Sequence, residues 1–179
     1  MRALLLGGHR VELVVSKHAR FTLEHETAFG DFAGTIPEWL CAELGSDVVP
    51  DQIRIHQHSD QTSSIASGSN VADGMVVVPC TAKTLSGIAH GYATNLVERA
   101  ADVMLKERRP LVLVFREAPY SLVHLRNMTA ATEAGAMILP ASPAFYQQPE
   151  TFDDLGDFIA QRALSLLGIS VELVPKWAG

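Results

Sequence analysis

The sequence predicts an α/β fold built on a doubly wound, mostly parallel β-sheet. Short apolar runs typical of buried strands alternate along the chain with amphipathic helical segments. The connections between these elements are short, and the chain has no internal repeats or low-complexity segments. In such a sheet ligands bind beyond the carboxyl ends of the strands, so the residues that follow each strand are the first candidates for a functional site.

The first part of the chain contains the weaker element signals. Three leucines followed by Gly7-Gly8 predict a short apolar helix with a glycine at its C-terminus. A Gly- and Pro-punctuated stretch makes the region after residue 30 the hardest to interpret. In order, we expect a helix over residues 2–6, a strand over 11–15 that ends at Ser16, a helix over 17–24, a short helical piece near 37–43 and a strand over 53–57.

The second part carries stronger signals. Residues 74–79 form a continuous apolar β run, as expected for a central parallel strand that is covered on both faces. A glycine after each of the last two helical patterns, at Gly135 and Gly168, predicts where those helices end. The expected order is the strand 74–79, a helix from Thr81, a helix over 95–107, a strand over 111–116, a helix over 121–133, a strand over 136–140 and a helix over 151–167.

The composition favours a single globular domain and excludes some classes of function. With 179 residues, of which 47% are hydrophobic, the chain fits a single domain spanning residues 1–179 with a substantial core. The net charge of -6 argues against a nucleic-acid-binding surface. No apolar run is long enough to span a bilayer, and Cys41 and Cys80 are expected to be reduced thiols, so the sequence favours a cytoplasmic protein.

The turn after the strand 74–79 is the first candidate site. Thr81, Lys83 and Thr84 lie where a helix N-terminus offers unpaired N–H groups and a positive dipole end to an anion. Two hydroxyls and an ammonium suit a phosphate, although the position of Thr81 taken on its own is better explained by a simple N-cap. Cys80 at the same turn is expected to be a small buried hydrophobe without a catalytic part.

The helix over 95–107 and the strand after it carry a second group of charges. Arg99 and Lys106, seven residues apart, lie along one edge of the apolar stripe of that helix. Surface cations of this kind often only cover apolar neighbours with their stems. The functional interpretation is favoured by Arg116-Glu117, predicted as an ion pair at the carboxyl end of the next strand, where functional groups of open sheets collect.

The last helix is predicted to aim a charge inward. Arg162 falls seven residues after Leu155, within the apolar stripe of the helix 151–167. A buried guanidinium needs an anion, either an internal carboxylate or a bound phosphate that it grips with two hydrogen bonds. Tyr146 lies upstream in a proline-bounded loop. Two roles stay open for it: a phenol held near the helix face that carries Arg162, or an aromatic side chain that only packs within the loop.

Three further residues give weaker signals. Glu26 lies near the end of the first long helix, where an acidic side chain is usually solvated. His56 and His58 are predicted to share one face of the strand 53–57. Two histidines without a third ligand do not make a metal site, so no metal is expected.

Long ungapped motifs in this chain resemble the UbiX-type flavin prenyltransferases, and the resemblance covers about the whole sequence. The motifs are ASGS at residues 66–69, GMVVVPCTAKTLSGIAHG, NLVERAADVMLKERRPLVLVFREAP, HLRNM and LPASPAFYQQPETFDDL. The resemblance implies a Rossmann-like flavoprotein, a three-layer sandwich. It also implies transfer of a dimethylallyl group from dimethylallyl monophosphate to reduced FMN without a metal, which gives prenylated FMN for a UbiD-type decarboxylase. Large homo-oligomers, commonly dodecamers, are a further implied property.

Matched by motif position, the resemblance implies a role for each candidate. Two acidic residues lie near the reacting centre, Glu26 and Glu117, and Glu117 is the expected proton donor to the departing phosphate. The implied FMN contacts are Ser16, Thr81, Ala82, Lys83, Thr84 and Arg116. The implied grip on the prenyl phosphate consists of Arg99, Lys106, Tyr146 and Arg162, with Lys106 also placed among the catalytic groups.

The chain departs from the family pattern in two places. Family members begin with a strand and a loop of the type GxSGASG, for which this chain has no counterpart, and we expect that its start was assigned late. Gln61 stands where some members have an aromatic residue. Two alternatives stay open: an FMN-dependent cysteine decarboxylase of the same superfamily, or a non-catalytic flavin-binding or assembly subunit.

Overall fold

The computed structural model describes residues 1–45 and 50–175. The chain divides into two compact units, Met1–Ser63 and Ser64–Gly179. All strand pairings within each unit are parallel. No helix in the described part of the chain is long and apolar enough to cross a membrane. The single domain expected from the chain length stays a prediction.

The first unit is built on a two-stranded parallel sheet. Its elements are α1 (Arg2–Leu6), β1 (Val11–Val14), α2 (Lys17–Glu26), α3 (Ile36–Leu44) and β2 (Ile53–His56). Strand β1 pairs with β2 in a register that sets Val11 opposite Ile53. Leu5 and Ile53 form the buried centre, and side chains of α3 pack against them. Two short 3₁₀ turns, Ala28–Asp31 and Pro50–Gln52, were not predicted.

The second unit is built on a three-stranded parallel sheet in the order β3-β4-β5. Its strands are β3 (Met75–Cys80), β4 (Leu111–Phe115) and β5 (Met137–Pro140). Its helices are α4 (Ala82–Ala89), α5 (Leu96–Lys106), α6 (Leu122–Glu133) and α7 (Phe152–Leu166), and two 3₁₀ turns, Ser64–Ala66 and Gly68–Asn70, precede β3. Because parallel strands require crossover connections, each strand is separated from the next by helix.

Strand β4 is buried on both faces, which explains its uninterrupted apolar sequence. Leu111, Leu113 and Phe115 point to a core that contains side chains of α4, α5 and α6. Val112 and Val114, on the opposite face, pack in a cluster with Ala163 of α7. Helices therefore cover both faces of this sheet, as the predicted doubly wound fold requires.

Side-chain caps fix where the helices begin. The Thr81 hydroxyl accepts from the Thr84 N–H at the start of α4, and Asn95 accepts from Glu98 at the start of α5. Ser121 and Thr151 form reciprocal capping boxes at the starts of α6 and α7. The predicted bounds of the helices and strands are confirmed to within two residues, with only the start compared for α4.

The inward orientation predicted for Arg162 is wrong. Its side chain is exposed, whereas Ala163 and Leu164 beside it are buried. The α7 residues that pack on the sheet are Ile159, Ala163 and Leu166, so the buried stripe is centred to one side of the Leu155–Arg162 line. Leu155 is itself only half-buried, so a residue seven positions later, Arg162, lies on the edge of the stripe as well.

Candidate functional site

An open pocket in the second unit brings together two of the predicted cations. It has a volume of about 480 Å³, and Arg99 and Lys106 contribute its positive charges. Both project from α5, where a spacing of seven residues puts them on one side of the helix. Its other lining residues are Ala66, Ser67, Gly68, Ser69 and Glu107. The pocket thus joins the ASGS motif to the two cations, which sequence reasoning had treated separately.

Arg99 is held in place from two sides. Its Nε donates to the Ala66 carbonyl at 3.2 Å, and Nη1 donates to the Asp102 carboxylate at 2.7 Å. The first contact ties α5 to the turn that carries the ASGS motif. With these anchors the guanidinium presents its remaining N–H groups in a fixed direction, which lowers the entropy lost when it binds an anion.

Lys106 is paired with its neighbour in sequence. The ammonium donates to Glu107 Oε1, and both side chains are more than a third exposed. Gly68 lies directly against this pair, because a Cβ at that position would meet the Glu107 carboxylate and the Lys106 Nζ. With a glycine at this position the 66–69 turn approaches the pair without displacing either side chain.

The predicted phosphate-binding turn at the start of α4 is present, but its lysine is engaged elsewhere. Thr81 caps the helix, and its hydroxyl also donates to that of Thr84 at 3.1 Å. Lys83 donates to Glu98 at 2.7 Å and to Thr94 at 3.2 Å. Among the described residues, none accepts from the N–H of Ala82 or Lys83. The turn therefore offers N–H groups rather than a free ammonium.

Glu98 is a buried charge that sequence reasoning missed. Its side chain is 1% exposed, and its carboxylate accepts hydrogen bonds from Lys83 and from the N–H and hydroxyl of Thr94. The backbone N–H of Glu98 donates to the Asn95 side chain. Burial alone would raise the pKa of this carboxyl, but the hydrogen bonds from Lys83, Thr94 and Asn95 together hold the pKa below its usual value. It stays ionised within the α4–α5 junction.

Cys80 ends β3 beside this turn. The side chain is fully buried, and desolvation raises the pKa of the thiol to about 12. A thiol with that pKa is protonated at neutral pH and is a poor nucleophile. The burial predicted for Cys80 is therefore confirmed, and its raised pKa gives no support to a catalytic role. Cys41 is likewise a free thiol.

Arg116 and Glu117 follow β4 directly, at its carboxyl end. Both are exposed, and neither has an ion-pair partner among the described residues. The ion pair predicted between them is therefore wrong, because consecutive residues at a strand end project in different directions. Both side chains are left available to a ligand.

Tyr146 packs against α7, the helix that carries Arg162. The Tyr146 ring packs edge-on against Phe158, with the centroids 6.4 Å apart, and 61% of the residue is exposed. Phe158 lies one helical turn before Arg162 on the same helix. Tyr146 therefore lies on the side of α7 that carries Arg162, where it also packs as an aromatic, and its place at a phosphate site stays a prediction.

Two predicted site residues belong to the first unit. The Ser16 hydroxyl caps α2 by accepting from the Ala19 N–H at 3.1 Å, and Glu26 is the exposed last residue of that helix. At the end of β2, the two ring nitrogens of His56 form hydrogen bonds with different partners. Nε2 bonds to the Glu12 carboxylate, and Nδ1 bonds to the Ser63 hydroxyl. His58 lies beyond the strand, so the shared strand face predicted for the two histidines is wrong. Across the described residues, no group of three or more His, Cys, Asp or Glu side chains could hold a metal ion.

Comparison with known proteins assigns the chain to a family. The Flavoprotein family matches residues 1–164. The flavin prenyltransferase UbiX of Halalkalibacterium halodurans is 52% identical over 172 residues, which cover 95% of this chain and 81% of that protein. The chain belongs to the UbiX flavin prenyltransferase family. The resemblance seen in the sequence motifs is thereby confirmed, and the chain is a member of an enzyme family.

Solved structures of the UbiX family share the fold. The crystal structure of AnUbiX (PadA1) in complex with FMN and dimethylallyl pyrophosphate matches with a TM-score of 0.84 and 41% identity, covering 99% of this chain and 87% of that chain. A dodecameric FMN-dependent UbiX-like decarboxylase from Escherichia coli O157:H7 matches with a TM-score of 0.82 and 40% identity, covering 99% of this chain and 90% of that chain. The predicted Rossmann-like flavoprotein fold is confirmed.

Several residues around the site were not predicted from the sequence. Ser67, Gly68 and Ser69 were identified only as part of a motif, and no role was predicted for Glu98, Asp102 or Glu107. Gly68 and Glu107 had a usable signal, since both lie within motifs that match the family. Glu98 lies in the same motif as Glu107, but its burial depends on how α4 packs on α5, which the motif does not show.

Proposed function

We propose that this protein transfers the dimethylallyl group of dimethylallyl monophosphate to reduced FMN. In this reaction the bond between the donor carbon and the phosphate oxygen breaks, and carbon bonds to flavin N5 and C6 form to close a fourth ring. The phosphate departs with the electron pair of the broken bond, while flavin N5 supplies the electron pair of the first new bond and releases its proton. The double bond of the transferred dimethylallyl group takes up a proton, and flavin C6 supplies the electron pair of the second new bond and releases its own proton. The product is prenylated FMN.

The pocket lined by Arg99, Lys106 and the ASGS turn is the observation that carries this proposal. Negative charge grows on the phosphate as it departs, and fixed cations that face it lower the energy of the transition state. The pocket contains two cations on one helix, and Arg99 is already oriented by Ala66 and Asp102. Such preorganisation supports chemistry with a monophosphate and no metal.

The remaining donor-site roles follow from motif position and from exposure. We assign Tyr146 and Arg162 to the grip on the prenyl phosphate, since both are exposed on one side of α7. Glu117, exposed and without an ion-pair partner among the described residues, is the proton donor to the departing phosphate. Lys106 stabilises the same phosphate as it leaves.

FMN is the acceptor, and the residues after β3 and β4 suit it. The Ala82 and Lys83 N–H groups at the α4 N-terminus favour a phosphate, and the Thr81 and Thr84 hydroxyls lie at the same turn. Because the Lys83 ammonium pairs with Glu98, we assign Lys83 a backbone contact. Arg116 at the end of β4 adds a free guanidinium. For Ser16 and Glu26 the assignment rests on motif position alone.

The product and the assembly complete the proposal. Prenylated FMN would pass to a UbiD-type decarboxylase, the recipient implied by the family. We further propose a homo-oligomer, up to the dodecamer named for the related Escherichia coli protein.

The test is incubation of the purified protein with reduced FMN and dimethylallyl monophosphate, followed by flavin mass measurement. We expect a five-carbon adduct, and Lys106→Met should lower kcat/KM for the donor by about 100-fold while leaving FMN affinity within about twofold. Arg109→Met is the matched control, because Arg109 is exposed after α5 and does not line the pocket. It removes the same charge and should leave turnover unchanged.

Other outcomes identify the alternatives. Flavin that binds but keeps its mass, with either the monophosphate or the pyrophosphate donor, would contradict the transferase and favour a flavin-binding subunit. Release of carbon dioxide from a peptide with a C-terminal cysteine would instead favour the cysteine decarboxylase. Equal loss of turnover in Lys106→Met and Arg109→Met would show that the pocket is not where the phosphate binds.

A further inference from the structure

Each cation of the pocket already has a carboxylate partner on the same helix or directly after it. Arg99 pairs with Asp102, and Lys106 pairs with Glu107. The two carboxylates differ in position, because Glu107 lines the pocket and Asp102 does not. Asp102 therefore orients a guanidinium from outside the pocket, whereas Glu107 adds a negative charge within it.

Gly68 lies directly against the Glu107 carboxylate. A Cβ at position 68 would collide with the Glu107 carboxylate and would lie 2.6 Å from the Lys106 Nζ. The turn that carries Ser67 and Ser69 therefore closes directly over the ion pair. A phosphate that reaches Lys106 from this turn must approach the same space that the Glu107 carboxylate fills.

The charges that line the pocket show how Glu107 affects the binding of a phosphate. Arg99 and Lys106 contribute two positive charges, and Glu107 contributes one negative charge. A phosphate near Lys106 gains attraction from the ammonium but is repelled by the adjacent carboxylate, and the two effects are of similar size at similar distance. Both side chains are partly exposed, so solvent screens each effect and leaves a modest difference.

We propose that Glu107 is a built-in counter-ion that competes with the phosphate of the ligand for Lys106. The carboxylate holds the ammonium at the edge of the ASGS turn and leaves it when a phosphate binds. Glu107 thereby weakens binding of any phosphate at this position, so a ligand needs further contacts elsewhere to bind tightly. This inference rests on the proposed function for the identity of the ligand, but not for the competition itself.

The experiment measures binding of inorganic phosphate, and separately of dimethylallyl monophosphate, by calorimetry to the full-length wild-type protein and to Glu107→Gln. Glutamine keeps the size of the side chain and removes its charge. We expect Glu107→Gln to bind inorganic phosphate about five- to tenfold more tightly, with a steeper loss of affinity as salt rises. Glu133→Gln, an exposed position at the end of α6, makes the same change in net charge and should leave the affinity unchanged.

The outcomes separate this inference from the proposed function. Equal affinity in wild type and Glu107→Gln, or weaker binding by the variant, would overturn the competition, and weaker binding would make Glu107 a positioning residue for Lys106. Tighter binding in Glu133→Gln as well would reduce the effect to net charge and also overturn it. If Glu107→Gln binds inorganic phosphate more tightly but no protein binds dimethylallyl monophosphate, the competition stands and the proposed donor fails.

Discussion

At the scale of single residues, the buried Glu98 carboxylate depends on an exposed partner. Glu98 is buried, whereas the Lys83 side chain that donates to it is 71% exposed. An ion pair of this kind is asymmetric, because water solvates the lysine but not the carboxylate. Removing the lysine leaves a buried charge with only the hydrogen bonds that Thr94 and the Asn95 side chain give to the carboxylate. Lys83 therefore contributes more to the fold than its exposure suggests.

We expect Lys83→Met to lower the free energy of unfolding at pH 7 by about 2 kcal/mol, a value reduced from that of a fully buried pair because Lys83 is exposed. Glu98→Gln should cost less, and the double variant should cost less than the sum of the two. Urea unfolding of the four proteins in a double-mutant cycle measures the coupling. Additive losses would show that the pair does not stabilise the fold.

The same pair predicts a pH dependence. The pKa of Glu98 in the folded chain lies below its unfolded value of about 4.3. Ionised Glu98 therefore stabilises the fold fully above that pH, and the contribution is lost as the pH falls through the folded pKa. The difference in unfolding free energy between wild type and Glu98→Gln should accordingly stay constant above about pH 4.3 and shrink as the pH falls further.

At the scale of elements, the start of α4 has two separable functions. Thr81 caps the helix through its hydroxyl, and the same turn is the proposed site for the FMN phosphate. A cap needs only a side-chain oxygen that accepts from the Thr84 N–H. A phosphate site needs, in addition, the absence of negative charge at the turn.

Thr81→Ala should therefore lower the free energy of unfolding by about 1 kcal/mol and weaken FMN binding. Thr81→Asp should keep the cap and the stability but weaken FMN binding further, because its carboxylate repels the phosphate. Thr81→Ser serves as the control that preserves both. Urea unfolding and FMN fluorescence titration measure the two properties. Normal FMN affinity in Thr81→Asp would place the FMN phosphate elsewhere.

The elements also show what the sequence could predict. Strand β4 was recognisable because LVLVF is apolar at every position, and α4 to α7 because each begins with a capping residue. The exposure of Arg162 was not predictable, since Leu155 and Arg162 lie on the edge of a stripe whose centre is set by contact with the sheet. Likewise, the Lys83–Glu98 pair links residues fifteen positions apart through the packing of α4 on α5.

At the scale of the whole molecule, the second unit has an apolar surface that its own core does not use. The N-terminal half of α6 exposes Leu122, Val123 and Leu125, and Tyr120 precedes them with 42% exposure. Single exposed apolar residues are ordinary, but several on one helix are typical of surfaces that become buried in an assembly.

We therefore expect the protein to self-associate through this part of α6. Leu122→Glu combined with Val123→Glu should shift the mass measured by light scattering toward smaller species, because burying two carboxylates without partners is costly. The two side chains are 59% and 62% exposed, so the unfolding free energy of the dissociated chain should change by less than about 1 kcal/mol. Leu6→Glu, at a half-exposed position on α1, is the control for an added charge on another helix. An unchanged mass in the double variant, or an equal loss of mass in the control, would show that assembly does not depend on this face of α6.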